Sequence, residues 1–352
     1  MHDHNNELDR THGISDHPEE SRDVDDQPRR HKRCRIGISN PPSHDMPFAP
    51  RVNAPFLGDY SGCTWNAQVL FAQEVSSQSS KMTVACNLAR KYQILALQET
   101  HSTAGRVEGC LTSEGNVARL QRTHKLFWSH GSTTQAGVAI WVQNSLLEKF
   151  DAPDHNNWLE IIPGRVARLR LQGPAGALDM YVVYMQVGGE QEDKRARQQA
   201  ISAIAAVLAP REQALSIMAG DWNFVVNKDD RWSKQNGSWT GGTDAAEASE
   251  FTNNFCRPRN FTEWLQPVLT HECGKARSKR DRVYSNHSIS DQLDRAYGCV
   301  ALPKVPCSAH RPVVFSKKAP EPAGPSSINI DAAMLSDPQF AHRVALEIHS
   351  IV

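Results

Sequence analysis

The 352-residue sequence predicts a mixed α/β (α+β) protein, in which short strands pair mainly antiparallel and helices cover them. Two observations lead to this fold class. Short β-prone runs follow one another through the middle of the chain with few turn residues between them, which favours hairpins. Residues 81–91 and 191–208 instead place their apolar side chains along one face, as amphipathic helices do.

The predicted strands and helices follow one another along the chain, and the first two strands each meet a polar residue. Residues 63–70 form an apolar, β-prone run that Asn66 interrupts, and the run at 94–97 leads directly to Glu99. Further strands are predicted at 125–128, 137–142, 158–162, 166–171, 178–184, 215–219, 283–284 and 311–315. Helices are predicted at 81–91, 191–208, 244–256 and 337–351.

Charge and apolar content divide the chain into three parts. Residues 1–58 are predicted to be a disordered charged tail, because they bury too little apolar surface to offset ordering entropy. Residues 59–318 are predicted to form the folded domain, and residues 319–352 are predicted to form a linker followed by a helix. The tail includes a basic run at 29–35, which suits a nuclear-localisation patch, a phosphate-binding patch or a solvated charge run.

The middle of the chain carries an excess of positive charge. Of 39 basic and 39 acidic residues, residues 1–50 hold seven and ten, and residues 319–352 hold one and four. Residues 51–318 therefore hold 31 Lys and Arg against 25 Asp and Glu. This excess is compatible with a polyanionic partner such as DNA.

Several protein classes are disfavoured by composition. No apolar run reaches the roughly 18 residues of a membrane helix, and no apolar core follows a basic segment at the start. The eight cysteines form no C-x-x-C pair, which disfavours zinc ribbons and redox motifs. We therefore expect an intracellular protein of the nucleus or cytoplasm, with no membrane contact and no feature that requires a protein partner.

The stretch Gly220-Asp221-Trp222-Asn223 follows an apolar, β-prone run. Asp221 and Asn223 stand two residues apart, so in an extended backbone both side chains point the same way. A carboxylate and a carboxamide aimed at one point suit Mg²⁺ and a phosphate. Asp and Asn after Gly also make capped turns, so the motif alone leaves both interpretations open.

Other polar residues also follow or interrupt apolar β-like runs. The full set is Asn66, Glu99, Tyr184, Asp221, Asn223, Asp281 and His310. Together they could hydrolyse a phosphodiester with the help of a metal ion, Mg²⁺ or Mn²⁺. Glu99 offers a hard oxygen ligand, Asp221 can activate water, and His310 can donate a proton to a phosphate oxygen.

A basic loop precedes Asp281. Residues 275–282 hold five positive charges in eight positions. Arg277, Lys279 and Arg280 in this loop are predicted to contact the phosphates of a substrate.

The order of these motifs resembles the endonuclease/exonuclease/phosphatase superfamily, which has the DNase-I-like fold. The matching pieces are Trp65-Asn66, Gln98-Glu99-Thr100-His101, Val183-Tyr184, Gly220-Asp221-Trp222-Asn223, Ser278 to Tyr284, and Ser308 to Val313. The resemblance implies a four-layer αββα sandwich. It also implies a metal site formed by Glu99 and Asn66. The catalytic residues that it implies are Asp221, Asn223, Tyr184, and the pair Asp281 and His310. Ser308 would contact the substrate.

The last motif departs from the family pattern. The family usually has Ser-Asp-His, whereas this chain has Ser308-Ala309-His310. The missing carboxylate normally helps to build the metal site, so weakened metal binding or loss of activity is expected.

Three functions follow from the resemblance. The chain most resembles the endonuclease domains of non-LTR retrotransposons, which nick target DNA, and Mg²⁺-dependent DNA hydrolysis is therefore the leading hypothesis. The alternatives are a catalytically weakened protein that still binds nucleic acid and a phosphatase of the same fold.

Overall fold

The computed structural model describes residues 54–112, 115–240, 244–287 and 297–317. The predictions for residues 1–53, including the basic run, and for the linker and helix at 319–352 lie outside these ranges. Residues 54–58, which the sequence assigned to the tail, are packed. The Phe56 side chain has no exposed surface, and its backbone N–H donates to the Ala177 carbonyl over 2.9 Å. Ordered packing therefore begins before residue 59.

Sixteen strands occur in the described ranges. They are β1 Ser61–Asn66, β2 Ile94–Gln98, β3 His124–Ser129, β4 Val138–Gln143, β5 Trp158–Ile162, β6 Val166–Gly173, β7 Gly176–Tyr184, β8 Leu215–Asp221, β9 Arg231–Ser233, β10 Ser238–Trp239, β11 Thr262–Glu263, β12 His271–Cys273, β13 Ala276–Ser278, β14 Asp281–Ser285, β15 Gly298–Ala301 and β16 Val313–Ser316. The helices are α1 Val75–Lys91, α2 Ala104–Thr112, α3 Asn116–Leu120, α4 Asn144–Leu147, α5 Gln191–Val207 and α6 Ala245–Glu250.

Two six-stranded sheets form the centre of the fold. The first has the order β15-β16-β1-β2-β4-β3, and the second has the order β11-β14-β8-β7-β6-β5. The strands pair antiparallel except for β1 with β2 and β7 with β8. Helices α1 and α5 make these two crossovers, as a parallel connection requires. The prediction of mainly antiparallel sheets is confirmed.

Three apolar clusters separate four layers. One lies between the sheets and includes Ile140, Leu169, Met180 and Ile217. A second packs α1, α2 and α3 against the outer face of the first sheet, around Trp65 and Trp141. A third packs α5 and the helix after α6 against the second sheet, with Tyr181, Ile204 and Phe251 among its members. The predicted four-layer αββα sandwich is confirmed.

A small third sheet was not predicted. It has the order β10-β9-β13-β12, and its strands are only two or three residues long. Trp232 and Trp239 face each other across β9 and β10, with ring centroids 5.1 Å apart. An isolated β-bridge joins His271 of β12 to His310. This sheet therefore reaches one of the predicted site residues.

Two helices differ from the prediction in their bounds, and other elements were not predicted. Helix α1 begins at Val75, six residues early, because Ser76 to Ser80 are polar and leave no apolar stripe to detect. The helix expected at 244–256 is α-helical only to Glu250 and continues as a π-helix, Phe251–Cys256. Helix α2 and strand β15 were missed.

No helix in the described ranges combines the length and the apolar character that crossing a membrane requires.

Candidate active site

Strand register brings three predicted residues into one row. Tyr184 of β7 and Asp281 of β14 are both direct partners of Asp221 on β8. Residues that face each other across neighbouring strands project to the same side of a sheet. Asn66 ends β1 in the other sheet, and Glu99 directly follows β2. The predicted residues therefore come from both sheets.

Asn66 connects the two sheets at this point. Its Nδ2 donates to Glu99 Oε1 over 2.8 Å and to Asp221 Oδ2 over 2.9 Å. Its Oδ1 accepts the backbone N–H of Gln68 over 2.9 Å. The Asn66 side chain is fully buried. One amide thus fixes the separation of two carboxylates that come from different sheets.

His310 and Asp281 form a buried pair. His310 Nδ1 lies 2.9 Å from Asp281 Oδ2 and 3.1 Å from Oδ1. His310 Nε2 points to the other carboxylate, 3.8 Å from Asp221 Oδ2. The backbone N–H of Asp281 donates to Thr270 Oγ1 over 3.0 Å. Asp281 therefore holds the ring with Nε2 directed towards Asp221.

The electrostatics of the three groups are linked. Burial opposes a charge on His310, but the nearby carboxylate of Asp281 outweighs it and raises the pKa of His310 to about 9. Burial, together with the charge of Asp281, raises the pKa of Asp221 to about 6, although His310 acts in the opposite direction. Burial also acts on Asp281, yet the His310 charge keeps the pKa of this carboxyl below its usual value. His310 is therefore charged at neutral pH, and Asp221 can both hold and release a proton close to it.

Asn223 and Arg280 lie beside Asp221. The Asn223 backbone N–H donates to Asp221 Oδ1 over 3.0 Å, and its Nδ2 donates to the Met185 carbonyl over 2.9 Å. Its φ of 53° lies in the left-handed region, which Asn tolerates better than most residues. Arg280 Nη1 donates to Asn223 Oδ1 over 3.3 Å. A guanidinium therefore stands beside the carboxamide.

Tyr184 lies between Glu99 and a second guanidinium. Burial, and then the charge of Glu99, raise the pKa of its hydroxyl, which is hydrogen-bonded to that carboxylate. The Arg165 guanidinium lies 5.0 Å from the Tyr184 ring centroid, within range of a cation–π contact. Sequence reasoning missed Arg165, because it precedes a strand and stands in no motif.

The other two predicted cations are engaged elsewhere. Lys279 is buried, with Nζ 3.0 Å from Glu263 Oε1 and 3.4 Å from Asp230 Oδ1. Arg277 Nε lies 3.5 Å from Glu272 Oε2 on the small sheet. Of the three basic-loop residues singled out from the sequence, Arg280 is the one that contacts the site.

The segment Ser308–Ala309 packs against the turn after Asn66. Ser308 Oγ donates to the Asn66 carbonyl over 2.8 Å, and the Ala309 N–H donates to Gln68 Oε1 over 2.6 Å. Gln68 has a φ of 46°, which places the turn in the left-handed region. Sequence reasoning missed Gln68. It follows the end of β1 in a turn and bonds a segment 241 residues away, so local sequence contains no indication of it.

The donor set fits a hard divalent cation. Glu99 and Asp221 both accept from one nitrogen of Asn66, so two carboxylates converge in a buried place. Ligand atoms of Asp221, Asp281 and His310 also lie within 4.8 Å of one another. Oxygen ligands with net negative charge are those that Mg²⁺ prefers. At position 309 the chain adds no further carboxylate.

Known structures share this architecture. The AP endonuclease LMAP from Leishmania major aligns with a TM-score of 0.50 and 16% identity, over 74% of this chain and 88% of that one. An AP endonuclease from Archaeoglobus fulgidus also gives 0.50 and 16%, over 73% and 98%. The endonuclease domain of TRAS1, a telomere-specific non-LTR retrotransposon, gives 0.48 and 16%, over 75% and 100%. No curated protein sequence matches the chain significantly.

The family assignment rests on the sequence profile. The profile of the Endonuclease/Exonuclease/phosphatase family matches residues 63–325, well over half of the chain. The match spans every predicted site residue, from Asn66 to His310, and agrees with the resemblance inferred from the motifs. The chain belongs to the endonuclease/exonuclease/phosphatase family.

Proposed function

We propose that this protein is a Mg²⁺-dependent endonuclease that hydrolyses the phosphodiester backbone of DNA. One observation carries the proposal. Asn66 holds Glu99 and Asp221 together across two sheets, and the His310–Asp281 pair directs Nε2 to the same carboxylate. This arrangement supplies an anionic pocket, a base and a charged proton donor at one place.

The residues divide the work of hydrolysis. Asp221, held by the Asn223 N–H, accepts a proton from water as the water oxygen attacks phosphorus. Charged His310 donates a hydrogen bond to a non-bridging phosphate oxygen, and Asp281 keeps it protonated and oriented. The Tyr184 hydroxyl and the Arg280 guanidinium contact other phosphate oxygens. The phosphorus–oxygen bond to the sugar then breaks, and the leaving oxygen takes a proton from solvent to become a hydroxyl.

Glu99 and Asn66 would hold the metal ion. When bound there, Mg²⁺ or Mn²⁺ would polarise the phosphoryl group and offset the charge that develops on the leaving oxygen. The Glu99 and Asp221 carboxylates both accept from Nδ2 of Asn66, which places them close to this site.

DNA is the substrate that the charge distribution favours. The six-charge excess of residues 51–318 attracts a polyanion, and Arg280 and Arg165 stand at the site itself. The motif resemblance to retrotransposon endonucleases supports nicking of one strand. Such an enzyme would meet DNA in the nucleus or cytoplasm, where we expect the chain to reside.

Nicking of a supercoiled plasmid tests the proposal. With Mg²⁺ the wild type should convert supercoiled plasmid to the open circular form, and EDTA should abolish the conversion. His310→Ala should slow it by roughly 100- to 10,000-fold, since it removes the proton donor. Glu99→Ala should weaken the response to Mg²⁺. Equal nicking by wild type and both variants would refute the proposal.

A second candidate is a DNA-binding protein that has lost turnover. Ala309 favours it, because a methyl side chain at this position offers the metal site no ligand. This candidate predicts salt-dependent DNA binding with no nicking.

The substitution Ala309→Asp separates the two candidates. The added carboxylate should strengthen Mg²⁺ binding roughly tenfold, as measured by calorimetry and by the Mg²⁺ dependence of nicking. Ala309→Asn is the matched control, because it has the same shape without the charge. If only the Asp variant nicks, the wild type is the weakened binder. If both variants behave as wild type, position 309 does not limit the metal site.

A further inference from the structure

His310 is held by a strand that belongs to neither large sheet. The Glu272 N–H donates to the Ala309 carbonyl over 3.0 Å, and the Arg311 N–H donates to the Thr270 carbonyl over 2.7 Å. These two bonds flank the bridge between His271 and His310. Strand β12 of the small sheet and Thr270, which directly precedes it, therefore fix the backbone on both sides of His310.

The same segment, Thr270 and β12, contacts both members of the His310–Asp281 pair. Thr270 Oγ1 accepts the Asp281 N–H over 3.0 Å. The next residue, His271, places its ring against that of His310, with centroids 4.5 Å apart and planes tilted by 48°. His271 Nδ1 lies 3.3 Å from Ser278 Oγ on the neighbouring strand β13, which holds the ring from its other side.

We propose that His271 is a positioning residue for His310, and that its ring acts as a wall that fixes the His310 ring against Asp281 and excludes water from their hydrogen bond. The contact is through the ring and needs no charge on His271. No sequence motif contains His271, and nothing in its local pattern indicates the role.

The pKa of His271 is consistent with an uncharged ring beside His310. Burial, followed by the charge on His310, lowers the pKa of His271 to about 3. Between about pH 3 and pH 9, His310 is therefore charged and His271 is not. A neutral aromatic ring can pack against the cationic His310 ring, whereas a second cation would be repelled.

Three substitutions distinguish the ring from the hydrogen bond. His271→Phe keeps a ring but cannot bond Ser278. His271→Gln keeps a polar group for Ser278 but has no ring. His271→Ala has neither. A control is His124→Ala, which removes another buried histidine, one on β3 of the first sheet that bonds the Ala89 carbonyl of helix α1.

The first readout is the His310 Nδ1–H resonance in ¹⁵N-labelled full-length protein, assigned by its loss in His310→Gln. We expect this proton to stay visible in wild type, His271→Phe and His124→Ala. In His271→Ala and His271→Gln its exchange with water should be roughly tenfold faster or more, because the wall is gone. This readout does not depend on activity.

The second readout is nicking, and here the inference rests on the proposed function. His271→Ala should lower kcat roughly ten- to a hundredfold with KM for DNA little changed, because His271 acts through His310 and not on the phosphate. His271→Phe should restore most of the rate. Thermal unfolding of each variant shows that it is folded.

Two results would overturn the role of His271. One is a wild-type His310 resonance in His271→Ala, and the other is rescue by Gln instead of Phe. If the wild type shows the resonance but never nicks DNA, the proposed function alone is contradicted. The role of His271 is still tested by comparing this resonance among the variants.

Discussion

At the scale of single residues, the site depends on the pKa shifts of adjacent buried groups. Asp281 raises the pKa of His310 to about 9, and burial raises that of Asp221 to about 6. Between these values His310 carries a proton and Asp221 does not. This is the combination that a charged donor and a general base require.

The substitution Asp281→Asn tests this linkage. Wild-type nicking should decline as pH rises through about 9, where His310 loses its proton. Asn has no charge to favour the protonated ring, so the pKa of His310 falls and the decline should begin at lower pH. A pH–rate profile of each protein gives the two midpoints. The exposed substitution Asp59→Asn is the control and should leave the profile in place. An unmoved midpoint in Asp281→Asn would exclude Asp281 as the group that sets it.

The site residues that follow apolar runs were within reach of sequence reasoning. Asn66, Glu99, Tyr184, Asp221 and Asn223 each lie at or just after the carboxyl end of a strand, and Asp281 begins β14, the antiparallel neighbour of β8. Sequence reasoning could not identify His271, Gln68 or Arg165, because each acts through a contact with a residue far along the chain. The ion pairs that engage Lys279 and Arg277 are equally long-range. A run of positive charges indicates cations without indicating their partners.

At the scale of elements, the close approach of β7 and β8 places Asp221. A Cβ atom added to Gly220 would lie 1.8 Å from the Val183 carbonyl oxygen, which belongs to the backbone of β7. Only a residue without a side chain permits this spacing. The glycine before Asp221 is therefore part of how the sheet delivers the carboxylate.

The substitution Gly220→Ala should force β8 away from β7. We expect a loss of about 1–3 kcal/mol in the free energy of unfolding, measured by urea denaturation. Nicking should fall further than stability, because Asp221 moves with the strand. The control is Gly105→Ala, where nothing lies within 4 Å of the added Cβ and helix α2 should gain up to about 1 kcal/mol. Similar behaviour of the two variants would contradict the close approach.

Strands of five or more residues were predictable, and strands of two or three residues were not. Strand β5 was predicted at its observed bounds, since five residues suffice to show a β-prone run. The strands of the small sheet have two or three residues, too few for any period. The π-helix after α6 packs Phe251 against Trp222, 4.9 Å between ring centroids, and this contact is absent from local sequence.

At the scale of the whole molecule, a buried ion cluster attaches the small sheet to the sandwich. Arg282 of β14 has no exposed surface and contacts Glu263 over 2.6 Å and Asp230 over 2.5 Å. Asp230 directly precedes β9. The cluster therefore joins the second large sheet to the sheet that holds His310 in place.

The substitution Arg282→Ala should destabilise the fold by about 3–5 kcal/mol, because two carboxylates lose their buried partner. Urea denaturation monitored by tryptophan fluorescence measures the change. The exposed substitution Arg122→Ala should alter stability by less than about 0.5 kcal/mol. A loss for Arg282→Ala no larger than that of Arg122→Ala would mean that the cluster contributes no net stability.

Because the Asn66 amide joins Glu99 to Asp221, the geometry of the site depends on how the two sheets are aligned. A slide of one sheet over the other by about 1 Å would separate the carboxylates while leaving both sheets intact. The proposed catalysis therefore depends on the apolar layer between the sheets as well as on the polar residues at its edge. We expect substitutions at Ile140 or Met180, whose side chains lie in that layer, to change its rate.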